Sequence, residues 1–283
     1  MKLISRPVPS ALRYSWSLAL ALAISACTGG ETRCENDVGN QLRPLAEHAF
    51  VAHAGGSPHG LLQTVPYSNS RDAFEMSYAN GFRVYEFDLL VLADGEIIVA
   101  HDYHEEHFGL IEGTFPELTR PELEGRLYDD QFEVMFAEDL IQLMVDHPDI
   151  WVILDTKWDH EYVAQQLVAM SPGPEVTDRL VPHLGSHEQT QALQAIYPFP
   201  EQMIAVYRWR AEEDAEILER QQQYGVDNVM MWWNWRWSEE TQVALEAAGM
   251  NVWVHTPHEP ELIESFLDRG VGVYTDGYIS PCD

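Results

Sequence analysis

From residue 46 onward, short apolar runs alternate with stretches in which apolar residues recur every three to four positions. The short runs lie at residues 50–53, 83–89, 151–155, 180–183, 202–207, 227–232, 251–255 and 272–275. Such brief, nearly continuous runs predict strands covered on both faces. Between them, residues 70–80, 138–146, 161–169, 188–196, 214–224, 239–248 and 259–268 carry the helical period. Strand then helix, about eight times over, predicts a parallel sheet with helical crossovers. With about 240 residues available, the repeat predicts one α/β domain, a closed (β/α)8 TIM barrel, rather than an open sheet. Two features interrupt it. Asp94-Gly95 separates apolar runs at 84–92 and 97–100, as a turn between extended segments does. Residues 102–135 are acidic and weakly periodic, and read as an insertion after strand 2 lying over one face.

Ahead of the repeat the pattern changes. Lys2, Arg6 and Arg13 form a basic segment without an acidic residue, and an apolar stretch runs from Trp16 to Ile24. It is too short to span a bilayer and has the length of a signal-peptide core. It closes on Ile24-Ser25-Ala26-Cys27, which resembles a bacterial lipobox, where cleavage before Cys27 leaves that cysteine carrying lipid. The alternative is an ordinary secretory signal with a chance cysteine. Either reading exports the chain. The first places it in the bacterial cell envelope, lipid-anchored on the periplasmic or surface side. Residues 1–26 are then the signal, 27–45 a tether containing Gly29 and Gly30, and 46–283 the barrel. Cys34 and Cys282 remain, and an oxidising compartment permits a bridge between them. It would close almost the whole chain, which the chain-entropy model credits with about 5 kcal/mol; two unpaired thiols are the alternative.

Composition is that of a globular protein, with 46% hydrophobic and 22% charged residues, which excludes disorder as the main state. Charge is not balanced: 16 basic residues face 46 acidic ones, a net of −30. Without residues 1–26 the balance is 13 against 46, or −33. Such a surface repels phosphate backbones, so no nucleic-acid partner is expected. An anionic substrate would need a local reversal of the field, for which a bound divalent cation is the simplest means.

In a barrel of this kind chemistry gathers at the C-terminal ends of the strands. His53 ends the first apolar run, before Gly55-Gly56. Glu86 and Asp88 lie two apart on the second, so both side chains share a face, and Asp155 and Lys157 repeat that spacing on the third. His101 and Asp102 follow the run at 97–100. Brought together, three carboxylates are costly unless a cation shares them. An all-oxygen set suits a hard ion, Ca²⁺ or Mg²⁺, better than zinc. Two imidazoles beside it suit acid and base work near neutrality. With Lys157 they suit attack at a phosphodiester phosphorus.

The order of these residues resembles the glycerophosphodiester phosphodiesterase family. The resemblance rests on His53-Ala54-Gly55-Gly56, Asn69-Ser70 with Ala73-Phe74, Gly81-Phe82, Glu86-Phe87-Asp88, Asp94-Gly95 and His101-Asp102. Leu154-Asp155-Thr156-Lys157 and Thr275-Asp276 are similar to later motifs, and the likeness covers residues 48–280. It implies a TIM barrel and cleavage of glycerophosphodiesters to glycerol 3-phosphate and an alcohol. It further implies His53 and His101 as the acid/base pair, Glu86, Asp88 and Asp155 as metal ligands, and Lys157 as the phosphate-binding lysine. The chain departs from the family pattern at Ala54, where an arginine that contacts phosphate is usual. Tyr67-Ser68-Asn69-Ser70 stands for Pro-Glu-Asn-Thr, and Asp155 stands where Glu is common.

Trp232, Trp233, Trp235 and Trp237 follow the sixth strand. Trp232 is a candidate wall for the substrate's headgroup, with barrel packing as the alternative. Arg208 is a candidate replacement for the missing phosphate contact. His255 and Asp276, closing the last two strands, read as hydrogen-bonding groups of the barrel mouth. His104 to His107 reads as a solvated acidic loop. The chain is thus expected to act as a monomer on a small phosphodiester, held to the membrane by its lipid. Action on intact lipids, as phospholipases C or D do, is one alternative. A non-catalytic surface lipoprotein that binds phosphorylated headgroups is the other.

Overall fold

The computed structural model describes residues 42–57, 68–102, 104–109, 113–206 and 214–277. Eight parallel strands form its centre. They are β1 (Phe50–Ala52), β2 (Val84–Val91), β3 (Trp151–Thr156), β4 (Leu180–Leu184), β5 (Met203–Ala205), β6 (Asn228–Trp232), β7 (Asn251–His255) and β8 (Gly272–Thr275). Each pairs with the next, and β1 pairs with both β8 (Ala52 opposite Thr275) and β2 (Ala52 opposite Tyr85), which closes the barrel. Outside lie α1 (Arg71–Ala79), α2 (Ala137–Asp146), α3 (His160–Met170), α4 (His187–Ile196), α5 (Asp214–Tyr224), α6 (Glu239–Ala247) and α7 (Pro260–Leu267). Serine caps three of these helices. Ser70, Ser186 and Ser238 accept a hydrogen bond from the amides of Ala73, Gln189 and Thr241 respectively.

The period-2 geometry of the strands sorts their apolar residues into two cores. Val84, Ile153, Val181, Met203, Met230 and Trp253 point into the barrel, where Leu45 joins them ahead of β1. Their strand neighbours Tyr85, Leu154, Ile204, Val229, Val252 and Val273 face the helices. Both faces are covered, which is why the strands read as unbroken apolar runs rather than as alternation. The interior has no slack at β8. A Cβ on Gly272 would lie 2.1 Å from the Trp253 ring, so glycine here makes room for an indole.

The Asp94-Gly95 turn joins β2 to the short strand Ile97–Val99, which pairs antiparallel with it (Leu89 opposite Val99). The insertion is more ordered than its weak periodicity suggested. Met135–Phe136 pairs with Ile97–Val99, and a small hairpin joins Leu127–Tyr128 to Phe132–Glu133. Phe108, Phe115, Tyr128 and Phe136 pack with Leu90 and Ile98 into a third core. Elements of two to four residues are too short to display a period, so only their packing reveals them. Cys27, Cys34, Arg208 and Cys282 lie outside the described residues, so the lipidation, disulfide and arginine expectations are not addressed by the fold.

Candidate active site

The first strand ends one residue earlier than expected. His53 opens a 3-10 turn, His53–Gly55, in which Ala54 has φ 49° and Gly55 and Gly56 have φ 80° and 90°. Positive φ at three successive positions reverses the chain at the barrel mouth, and two of the three are glycine, which adopts it without strain. The turn packs on α1, where a Cβ on Gly56 would lie 2.0 Å from Ser77 Oγ. It delivers the Ala54 amide to Glu86 Oε2 at 2.9 Å and leaves the His53 ring buried.

The paired carboxylates meet as their spacing predicted. Asp88 lies opposite Asp155 in the β2–β3 register, and both project inward with Glu86. Glu86, Asp88 and Asp155 each offer an oxygen within 4.8 Å of the others. Asn69 holds Asp88 from both sides: Nδ2 donates to Oδ2 at 2.8 Å, and the Asp88 amide donates to Asn69 Oδ1 at 3.0 Å. Lys157 Nζ lies 2.5 Å from Asp88 Oδ1 and 2.8 Å from Asp155 Oδ2. Glu86 Oε1 is buried with no hydrogen-bond partner among the described residues. Burial first, and Asp88 second, push Glu86 well above the usual carboxylate range. Burial would raise Asp155 too, but Lys157 and His183 together outweigh it and hold Asp155 well below that range. An unpartnered buried carboxylate oxygen among clustered acids, all donors being oxygen, fits a hard divalent ion.

The two histidines are oriented differently. His53 Nδ1 lies 2.5 Å from Asp276 Oδ1, across from β8. Burial opposes charge on this ring, but Asp276 outweighs it and lifts His53 to about 9. His101 is half-buried, with Nδ1 2.7 Å from the Asp102 carbonyl. Around them, His183 Nδ1 lies 3.8 Å from Asp155 Oδ1 and its Nε2 3.2 Å from Tyr274 Oη. Trp232 is half-buried at the mouth, with its ring 5.0 Å from that of His255. Trp237 instead packs on Phe266, and Trp235 is exposed.

Residues 55–281 match the glycerophosphoryl diester phosphodiesterase family. The chain belongs to that family. By family it is a phosphodiester hydrolase. No curated protein matches it significantly. Among solved structures it is similar to a Galdieria sulphuraria protein described as a candidate glycerophosphodiester phosphodiesterase. That likeness has a TM-score of 0.69 at 18% identity and covers 82% of this chain and 94% of that one. An Oleispira antarctica phosphodiesterase solved with its product sn-glycerol-3-phosphate gives 0.63 at 16% identity, covering 80% and 92%. The Thermotoga maritima glycerophosphodiester phosphodiesterase gives 0.60 at 18%, covering 81% and 94%. At such identities the likeness is one of fold.

Within this phosphodiesterase barrel, His53, Glu86, Asp88, Asp155 and Lys157 come together on consecutive interior positions. Lys157 is not extended toward solvent, because two carboxylates of the cradle engage it. Sequence reading left Asn69 as part of a motif without a role and passed over His183. Each had a legible sign: Asn69 follows an unusual run before α1, and His183 sits at the inward, C-terminal position of β4.

Proposed function

We propose that the protein hydrolyses glycerophosphodiesters, releasing an alcohol and a phosphomonoester, with a divalent cation held by Glu86, Asp88 and Asp155. The observation that carries this reading is the joining of that oxygen cradle to the His53–Asp276 pair and Lys157 at one barrel mouth. When bound, Ca²⁺ or Mg²⁺ would neutralise charge on the phosphoryl oxygens, which lowers the barrier to attack. The chain's own groups manage the protons. A carbonyl and a carboxylate only accept, so His101 and His53 each carry a proton on Nδ1, which leaves Nε2 of each for the proton transfers. One Nε2 takes a proton from the attacking hydroxyl, and the other returns one to the leaving alcohol. Lys157 adds a positive charge beside the phosphate, and Trp232 walls the mouth on the His255 side. Asp276 fixes the tautomer of His53, as carboxylates do for paired imidazoles.

The chain would work after export, anchored in the bacterial envelope by lipid on Cys27 and braced by a Cys34–Cys282 bridge. The Lys2–Arg13 basic segment, the apolar stretch and Ser25-Ala26-Cys27 support this placement. Incubating the protein with a panel of phosphodiesters and Ca²⁺ or Mg²⁺, read by phosphorus NMR, tests the chemistry. Phosphomonoester should appear from soluble glycerophosphodiesters, stop with EDTA and return with added ion. Turnover of lipid vesicles alone, or turnover undiminished in metal-free protein, would refute the proposal.

A further inference from the structure

Most hydrogen-bond donors around the cradle are already engaged by protein. Lys157 Nζ reaches Asp88 and Asp155, and Asn69 Nδ2 reaches Asp88. The Ala54 amide reaches Glu86, and the two Nδ1–H groups reach Asp276 and the Asp102 carbonyl. A phosphodiester bound there brings two anionic oxygens that need donors of their own.

His255 stands apart. It ends β7 opposite Trp232 in the β6–β7 register. Its ring is half-buried, edge-on to His53 at 4.5 Å and 81°, and backed by Trp232 at 5.0 Å. Thr256 Oγ1 lies 3.3 Å from its Nδ1, and Nε2 has no protein partner among the described residues. When the Thr256 hydroxyl donates to Nδ1, the imidazole proton must sit on Nε2. Burial first, then the neighbouring His53, hold this imidazole well below its usual range. It therefore donates as a neutral imidazole.

We infer that His255 donates a hydrogen bond through Nε2 to a phosphoryl oxygen of the substrate, making it a further substrate-contacting residue of this site. The inference rests on the phosphodiesterase reading above. A hydrogen bond to an anionic oxygen in a partly dry mouth is of the stronger kind, and a donor held in place by Thr256 and Trp232 needs no rearrangement as charge develops.

The test compares full-length wild type, His255→Phe and His255→Gln, each loaded with Ca²⁺. The readouts are kcat and KM on glycerophosphocholine, calorimetric binding of glycerol 3-phosphate, and Tm. Phenylalanine keeps the ring and removes the donor, whereas glutamine keeps a donor. We expect kcat/KM to fall about 10–100-fold in His255→Phe, and glycerol 3-phosphate to bind about tenfold or more weakly. His255→Gln should retain both within about fivefold. A His255→Phe variant within twofold of wild type overturns the inference. So does a His255→Gln variant as impaired as His255→Phe at an unchanged Tm, because shape rather than donation would then matter. If wild type turns over no phosphodiester, the proposed function fails, and the calorimetric comparison alone decides His255. Equal binding by all three, or binding by none, counts against it.

Discussion

Asn69→Ala removes the residue that ties the carboxylate cradle to the backbone. Asn69 sits at φ 49°, fully buried, and its side chain forms a pair of hydrogen bonds with Asp88, one to the carboxylate and one from the amide. Three losses follow from the substitution. The bond to the Asp88 carboxylate, at 2.8 Å, is to a charged acceptor and contributes about 1.5–3 kcal/mol. The Asp88 amide is left buried without an acceptor, which costs about 1–3 kcal/mol. Alanine must also hold a left-handed backbone that asparagine tolerates, a penalty of about 1–2 kcal/mol. Even at the low ends these amount to at least about 3 kcal/mol of stability. Asp88 would also lose its fixed orientation, and removing such an outer partner typically weakens metal binding about 10–100-fold. Urea unfolding of the metal-free protein and calorimetric Ca²⁺ titration measure the two effects separately. A stability loss below about 1 kcal/mol, together with Ca²⁺ affinity within threefold of wild type, would show that Asn69 does not organise the cradle.

Three further outcomes are expected. His53→Ala and His101→Ala should each lower kcat at least about 100-fold at near-native Tm, and near-wild-type turnover in either removes that histidine from the proton transfers. His48 is buried, and burial, then Arg43, depress it from 6.5 to about 4. Between those values the unfolded chain binds a proton that the folded protein refuses. Stability should therefore fall by about 3 kcal/mol as the pH drops from 6.5 to 4. In urea unfolding, His48→Phe should flatten that slope, and an unchanged slope would refute the assignment. Gly272→Ala drives a methyl into the Trp253 ring and should cost about 1–3 kcal/mol, but below about 1 kcal/mol in a Trp253→Leu background. Equal penalties in both backgrounds would mean the barrel absorbs the methyl elsewhere.

Periodicity was enough to recover the eight barrel strands and, among the described residues, the seven helices of eight residues or more. Buried strands and amphipathic helices leave local signatures, and β7, β8 and α5 have the bounds the pattern predicted. The Glu86–Asp88 and Asp155–Lys157 spacings were legible for the same reason: alternation along a strand is set by the local backbone, and the barrel gathers the inward positions at the C-terminal strand ends at one mouth. What the sequence determined by itself was thus the repeat of barrel strands and helices, the face each acid would occupy, and the family those residues mark. Other features depend on partners distant along the chain. The Asp276–His53 contact joins the last strand to the first, and Asn69 meets Asp88 only when the segment ahead of α1 packs against β2. His255 takes its place against Trp232 and His53 only when the barrel closes. The insertion's core likewise exists only once its short strands add to β2. Hydrogen bonds, tautomers and the proton affinities of buried groups follow from distances of a few ångströms, and folding alone brings those atoms together.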